Sequence, residues 1–541
     1  MGNIGVAIDL GTSGFRAQAV DLAGGSILST AITARHPLPG ANVMDHLNFA
    51  IEMGLDVAHT IVVQTVNQVI GFLGVPPEEL ECLAVCGNPI QLSIFEEIEI
   101  RDLAYAGENK RRALGVTSPD RNGKRLKGGD IRNLGIPGNI PVYIPPSVKH
   151  EIGADALAMM IKSGLLERDD IALVTDYGTN AEMALKVGDR IITGSCAAGP
   201  ALEGQHIHRG MLASPGAITD VCPEPGGHRC LVLDRLMNQQ SGDVVDMSSG
   251  RLLAQGGIRA AGITGTGVVA ALCEGLGARM IKLPEINTPD AELHLSDGVT
   301  LSESDLIEAG KAIGAIRAGY ITLAREAGID VADINVAYMA GASGTYVDAA
   351  KAQKIGMVPH GVKRIYQVGN TSLALARDIV INPQTMDELT ELAGNLRANH
   401  CMFGASQIFE KAYILELSYW GEGMSWETYR KFAWKYSLPA VEISRGIPEV
   451  SRVERDIEDV GSRGLTIISQ VGVEKSTVFP GCTGCGICVE SCPENALNIS
   501  LREGETVLTL QLDRCNGTAC RRCHRACPEK IFDLAGICSV N

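Results

Sequence analysis

Eight of the sixteen cysteines of this 541-residue chain fall in two runs near its C-terminus, and their spacing constrains the local fold more than any other feature. Cys482, Cys485, Cys488 and Cys492 follow the pattern C-x2-C-x2-C-x3-C-P, and Cys515, Cys520, Cys523 and Cys527 follow C-x4-C-x2-C-x3-C-P. Three thiolates set a few residues apart on a tight loop reach three irons of one cubane, while the fourth, ahead of a proline, is carried onto a helix toward the other cubane. The spacing assigns one [4Fe-4S] cluster to Cys482, Cys485, Cys488 and Cys527, and a second to Cys515, Cys520, Cys523 and Cys492. Structural zinc would give no role to a third C-x2-C or to Pro493 and Pro528. The cysteine-free span between the runs reads as a β-hairpin turning at Arg502, Glu503, Gly504 and Glu505. The remaining cysteines (82, 86, 196, 222, 230, 273, 401 and 538) are scattered and read mainly as core thiols.

Charge marks a boundary ahead of these runs. The chain carries a net charge of −16, yet residues 475–541 hold seven basic and seven acidic side chains, so the whole excess lies upstream. A strongly acidic chain argues against nucleic-acid binding. No apolar run reaches the ~18 to 20 residues of a membrane span, and the first residues show no secretory pattern. The expectation is a cytoplasmic protein.

Upstream, three glycine-containing turns stand out. GVAIDLGTSGFRAQAVDL reads as strand, turn, strand, with Asp9 closing the first strand and Gly11, Thr12 and Ser13 able to turn N–H groups and hydroxyls toward phosphate oxygens. LVTDYGTNAEMAL repeats the pattern 167 residues later with Asp176, Gly178, Thr179 and Asn180, which is what a duplicated α/β domain would leave in the sequence. In VAYMAGASGTYVDAAKAQKIG a strand runs into Gly341, Ser343 and Gly344 and then a helix, a turn that lets backbone approach a ligand closely. A second strand–turn–helix, IYQVGNTSLALAR, follows. No P-loop motif is present, and GTGVVA, which mimics a dinucleotide fingerprint, reads as the glycine-rich start of a helix.

These three motifs, in this order, resemble the actin, sugar kinase and heat-shock ATPase superfamily, and the tail resembles a bacterial two-cluster ferredoxin. CAAGPALEGQHIHRGMLASPGAI, IPPSVKHEIGADALA, KAIGAIRAGYITLAREAGI, and IGMVP followed by VGNTSLA narrow the resemblance to reductive activators of corrinoid proteins. The ferredoxin unit at the C-terminus points to the subgroup that serves methylamine methyltransferases. The resemblance implies an α/β fold of two ribonuclease H-like halves with a small α+β ferredoxin domain. Its organisation is 1–165 and 166–400 for the halves, 401–474 for an aromatic-rich connecting region and 475–541 for the two-cluster domain. It implies ATP with Mg2+, held by Asp9, Gly11, Thr12, Ser13, Gly178, Thr179, Asn180 and Glu182, with Gly341, Ser343 and Gly344 near the nucleoside. Asp176 would orient the attacking water or the metal's water shell, and with Asp9 it forms the catalytic pair. Glu203 is a further acidic candidate, equally readable as a helix cap.

The activity the resemblance implies is ATP-driven reduction of a corrinoid protein from Co(II) to Co(I), with electrons from a low-potential donor passing through the clusters. Two alternatives are an activator of a radical dehydratase and a small-molecule kinase with a redox-sensing tail. All three tryptophans lie in residues 401–474. They read either as a docking surface for the partner or as the core of a connecting region. His206 and His208 belong to a glycine-rich loop rather than to a metal pair.

Overall fold

A computed structural model describes residues 3–40, 42–105, 108–148, 152–178, 180–199, 201, 206–396, 398–444, 446–453, 459–471, 473–502 and 504–538. The chain divides into two units, the first comprising 1–154, 375–394 and 460–541 and the second 155–374 and 395–459.

The first unit is built on a seven-stranded sheet. Its centre is Ile4–Leu10, all seven residues of which are buried, as expected of a strand covered on both faces. Phe15–Asp21 and Ile27–Thr33 follow antiparallel on one side, and Leu80–Gly87 and Pro141–Ile144 lie parallel on the other. Lys124–Lys127 and Leu465–Ile468 complete the two edges. Asn42 caps the helix Val43–Met53, its Oδ1 accepting the N–H groups of Met44 and Asp45. The longest apolar helix here, Leu55–Phe72, packs against the sheet, and among the described residues no helix is long and apolar enough to cross a membrane.

In the same unit, a three-stranded antiparallel sheet carries the cysteine runs, with Glu505–Gln511 between Glu474–Val478 and Leu497–Arg502. The expected hairpin is present, its Arg502 pairing with Glu505; Glu503 lies outside the described residues.

The second unit repeats the order of the first. Ala172–Tyr177 is central, with Asn180–Val187 and Arg190–Ala197 antiparallel on one side and Val336–Ala340 and Arg364–Gly369 parallel on the other. Ala398–Cys401 and Glu449–Arg452 form its edges. A five-stranded sheet spanning 217–263 is inserted after the third strand. The GTGVVA stretch begins the helix Gly265–Gly277, capped by the Thr264 hydroxyl, as its composition implied. The fold is thus a duplicated α/β sheet of the actin type with a small α+β domain.

The aromatic-rich stretch supplies pieces to both sheets. Helix Gln407–Gly421 packs on the long helix Glu303–Ala327, and Trp420 and Tyr429 are core side chains of the second unit. Trp434, by contrast, is 84% exposed. Glu416 on this helix accepts from the buried Arg317 at 3.1 Å and from the Tyr429 hydroxyl at 2.5 Å. Arg317 also donates to the carbonyls of Ile355 and Gly356, so the pair fastens the IGMVP loop to the helix layer.

Candidate functional site

In the first unit, the turn after Ile4–Leu10 is shaped by glycine at position 11: a Cβ there would stand 2.8 Å from the Gly14 carbonyl oxygen. Asp9 is the last residue but one of the strand, 6% exposed and opposite Arg16 in the hairpin register. Ser13, four residues further on, is buried, and Thr12 stays partly exposed. The Thr12 hydroxyl accepts a hydrogen bond from Asn88 Nδ2 at 3.2 Å.

Asn88 was not among the sequence candidates. It follows the parallel neighbour strand Leu80–Gly87 and caps the helix Pro89–Glu96 by accepting the N–H groups of Ile90 and Gln91. An asparagine followed by proline after an apolar strand is a helix-start signature and could have revealed it.

The second unit has the same arrangement with a more acidic lining. Asp176 stands opposite Glu182 across the antiparallel pair and beside Ala340 across the parallel one. Gly341 follows at φ +78°, and a Cβ there would lie 2.2 Å from Asp176 Oδ1, so only glycine lets the helix start this close to the carboxylate. Gly344 has a different reason: its Cβ would meet the Met339 carbonyl carbon at 2.8 Å, a packing constraint between helix and strand. Burial, then the charges of Asp155 and Asp176, push the Glu182 carboxyl well above the usual carboxylate range. The Ser195 hydroxyl donates to it at 3.3 Å. Three carboxylates therefore converge beside the second hairpin; Asp155, on the helix Ala154–Lys162, was not singled out from sequence. Gly178 is partly buried and Asn180 is 6% exposed. Thr179 and Glu203 lie outside the described residues, as does the side chain of Ser343, whose backbone belongs to the helix Gly341–Tyr346. His206 and His208 are exposed.

Cys492, Cys515, Cys520 and Cys523 line one cavity of about 360 Å³, together with Glu52 and Met53 at the end of helix Val43–Met53. Burial pushes Cys515 up to about 12 and Cys523 to about 11. Such thiols ionise only beside a strong positive charge, which bound iron supplies. At Cys527, burial would raise the thiol, but the N–H groups of Ile531, Phe532, Glu529 and Lys530 outweigh it and lower it. Both settings fit iron-ligating thiolates. Outside the runs, Cys82, Cys86, Cys196, Cys230 and Cys538 are buried thiols.

A duplicated sheet of this order, with a phosphate-type hairpin in each copy and a domain of paired cysteine runs, defines an actin-like ATPase joined to a 4Fe-4S dicluster module. Family descriptions match in the same order: "RACo middle region" over residues 4–168, "C-terminal domain of RACo the ASKHA domain" over 170–430 and "4Fe-4S dicluster domain" over 481–531. The chain belongs to the family of reductive activators of corrinoid proteins. It is 48% identical over 95% of both chains to the [Co(II) methylated amine-specific corrinoid protein] reductase of Methanosarcina barkeri. It is 27% identical to the corrinoid activation enzyme RamQ of Eubacterium limosum over 66% of this chain and 60% of that one. A solved structure, a reductive activator for corrinoid, iron–sulfur protein, superposes with a TM-score of 0.63 at 25% identity, covering 77% of this chain and 66% of that one.

Proposed function

We propose that this chain is an ATP-dependent one-electron reductase that returns a corrinoid methyltransferase protein from inactive Co(II) to Co(I). The observation that carries the reading is the 48% identity to the methylated amine-specific reductase, which extends over 95% of both chains. The same identity favours a partner from methylamine metabolism and disfavours both a radical dehydratase activator and a sugar or acid kinase.

In this reading Asp9, Gly11, Thr12 and Ser13 bind phosphate oxygens from the first hairpin, and Gly178, Thr179 and Asn180 bind them from the second. Gly341, Ser343 and Gly344 adjoin the nucleoside. Asp9 and Asp176 hold Mg2+ and its water, with Asp176 directing the attacking water. Burial, then the charges of Asp155 and Asp176, favour the protonated form of Glu182, and a divalent cation bound here would favour its carboxylate. Two [4Fe-4S] clusters, one on Cys482, Cys485, Cys488 and Cys527 and one on Cys515, Cys520, Cys523 and Cys492, supply one-electron transfer when bound. The electron balance is simple: a low-potential donor loses one electron, cobalt gains one, and no proton need move. The uphill step requires ATP to bias the assembly of activator and partner toward a state that disfavours Co(II). The setting is the cytoplasm, with no nucleic acid or membrane involved.

ATP turnover tests the reading. The reconstituted chain should hydrolyse ATP faster with a Co(II) corrinoid protein of a methylamine system and show no response to sugars or small acids. Stimulation by a sugar or acid, with none by the corrinoid protein, would return the kinase reading to first place.

A further inference from the structure

Polar contacts and two short chain segments join the first phosphate hairpin to the wall of the cavity lined by Cys492, Cys515, Cys520 and Cys523, all within the first unit. The path begins with the Asn88–Thr12 contact and the cap that Asn88 places on the N–H of Gln91. Gln91 is 0% exposed, and its amide sits between two imidazoles. Its Nε2 meets His46 Nδ1 at 2.8 Å, and its Oε1 meets His36 Nε2 at 3.0 Å. The two rings stack at 3.9 Å between centroids.

The direction of every hydrogen bond follows from one fixed donor. The Leu38 N–H can only donate, and it reaches His36 Nδ1 at 3.1 Å. His36 therefore carries its proton on Nε2, Gln91 must offer its oxygen there, and its NH₂ must face His46 Nδ1. The Gln91 amide therefore has one orientation, and it bridges the two rings.

Both imidazoles lead to the same cavity. From His36 the chain continues to Gly40, whose N–H donates to the Cys515 carbonyl at 2.8 Å. Gly517 packs against that segment so closely that a Cβ would stand 3.3 Å from the Pro39 carbonyl oxygen. From His46 the helix Val43–Met53 runs to Glu52 and Met53, which line the cavity, and Glu52 pairs with Arg521 at 2.6 Å.

We infer that Gln91, held between His36 and His46, is the positioning residue that couples ATP at the Thr12 hairpin to the cluster on Cys492, Cys515, Cys520 and Cys523. The inference rests on the reading that ATP binds this hairpin and iron–sulfur fills this cavity. A phosphate drawing on the Thr12 hydroxyl alters the Asn88 cap, and the cap carries Gln91. Because the amide is locked on both sides, the shift passes to the Gly40–Cys515 contact and to the end of helix Val43–Met53. A close-packed interior transmits such a displacement rather than absorbing it. Coupling is reciprocal, so the redox state of this cluster must change nucleotide affinity by the same factor that nucleotide changes the cluster's reduction equilibrium.

The test uses the full, reconstituted chain and a non-hydrolysable ATP analogue with Mg2+, its Kd measured with the clusters oxidised and then reduced. The wild-type ratio should be about fivefold or more; a tenfold ratio corresponds to about 59 mV for a one-electron couple. Gln91→Met should bring the ratio to within about twofold of one, with iron content and oxidised-state Kd unchanged, a result that a purely structural role for Gln91 would not give. Glu52→Gln, at a solvent-facing ion pair, should lower the ratio without any buried cost. It decides the matter if Gln91→Met does not assemble clusters. Equal wild-type affinities in both redox states, or an unchanged ratio in the variants, would overturn the inference while leaving the activase reading in place. A wild-type chain that holds clusters but binds no nucleotide would overturn both.

Discussion

Gly341→Ala is the substitution whose consequence follows most directly from the geometry of the second unit. The added Cβ would lie 2.2 Å from Asp176 Oδ1, about 1 Å short of ordinary van der Waals contact. Backbone at φ +78° adds about 1 to 2 kcal/mol of strain for any residue with a side chain. That strain is small beside the stability of a chain this size, so the variant should fold and melt only a few degrees lower. The carboxylate cannot stay where it is, however, and a displacement of about 1 Å in a group that directs an attacking water lowers turnover by roughly a hundredfold. The assay is kcat for ATP hydrolysis at saturating corrinoid partner, read beside a thermal melt. Gly344→Ala is the matched control. Its Cβ collides with the Met339 backbone and not with a carboxylate, so it should lower the melt more than it lowers kcat. A Gly341→Ala enzyme with wild-type kcat would refute the assignment of Asp176 to the chemistry.

Three further outcomes are expected. With the crossed ligand assignment, Cys485→Ser combined with Cys492→Ser should abolish both clusters, taking iron from about eight per chain to near zero. If each run served its own cluster, about four irons would remain, and iron analysis with EPR of the reduced protein distinguishes the two. Burial lowers the His36 pKa from 6.5 to about 3, so between those values the unfolded chain binds a proton that the folded chain excludes, and stability falls as pH drops. From pH 7.5 to 5.5 that amounts to about 1.4 kcal/mol, measurable as a pH-dependent loss of denaturation free energy that His36→Asn should reduce. Glu416→Gln would leave the Arg317 charge buried without its partner, costing about 3 to 5 kcal/mol and visible as a large drop in melting temperature.

Features carried by short-range spacing were legible in the sequence. The strand–turn–strand hairpins at Asp9 and Asp176 and the strand-to-helix turn at Gly341 appear where alternation and glycine placed them, and so does the hairpin between the cysteine runs. What was not legible depends on contacts distant in sequence. Residues 375–394 return to the first unit, where Val380 packs so closely on Gly5 that a Cβ there would meet it at 2.9 Å, and nothing local in RDIVI announces that. Asn88 matters through Thr12, 76 residues away. Asp155 matters through Glu182 on another element. The tryptophans divide by helix face: Trp420 faces the core and Trp434 does not, a distinction composition alone cannot draw.

The most direct test of the account follows cobalt itself. Under anaerobic conditions, the reconstituted chain, a low-potential reductant and a Co(II) corrinoid protein of a methylamine system are mixed, and absorbance is recorded with and without ATP. The account predicts that the Co(I) spectrum appears only when ATP is present. Reduced clusters and active ATP turnover, with cobalt remaining Co(II) for every methylamine corrinoid protein tried, would contradict it.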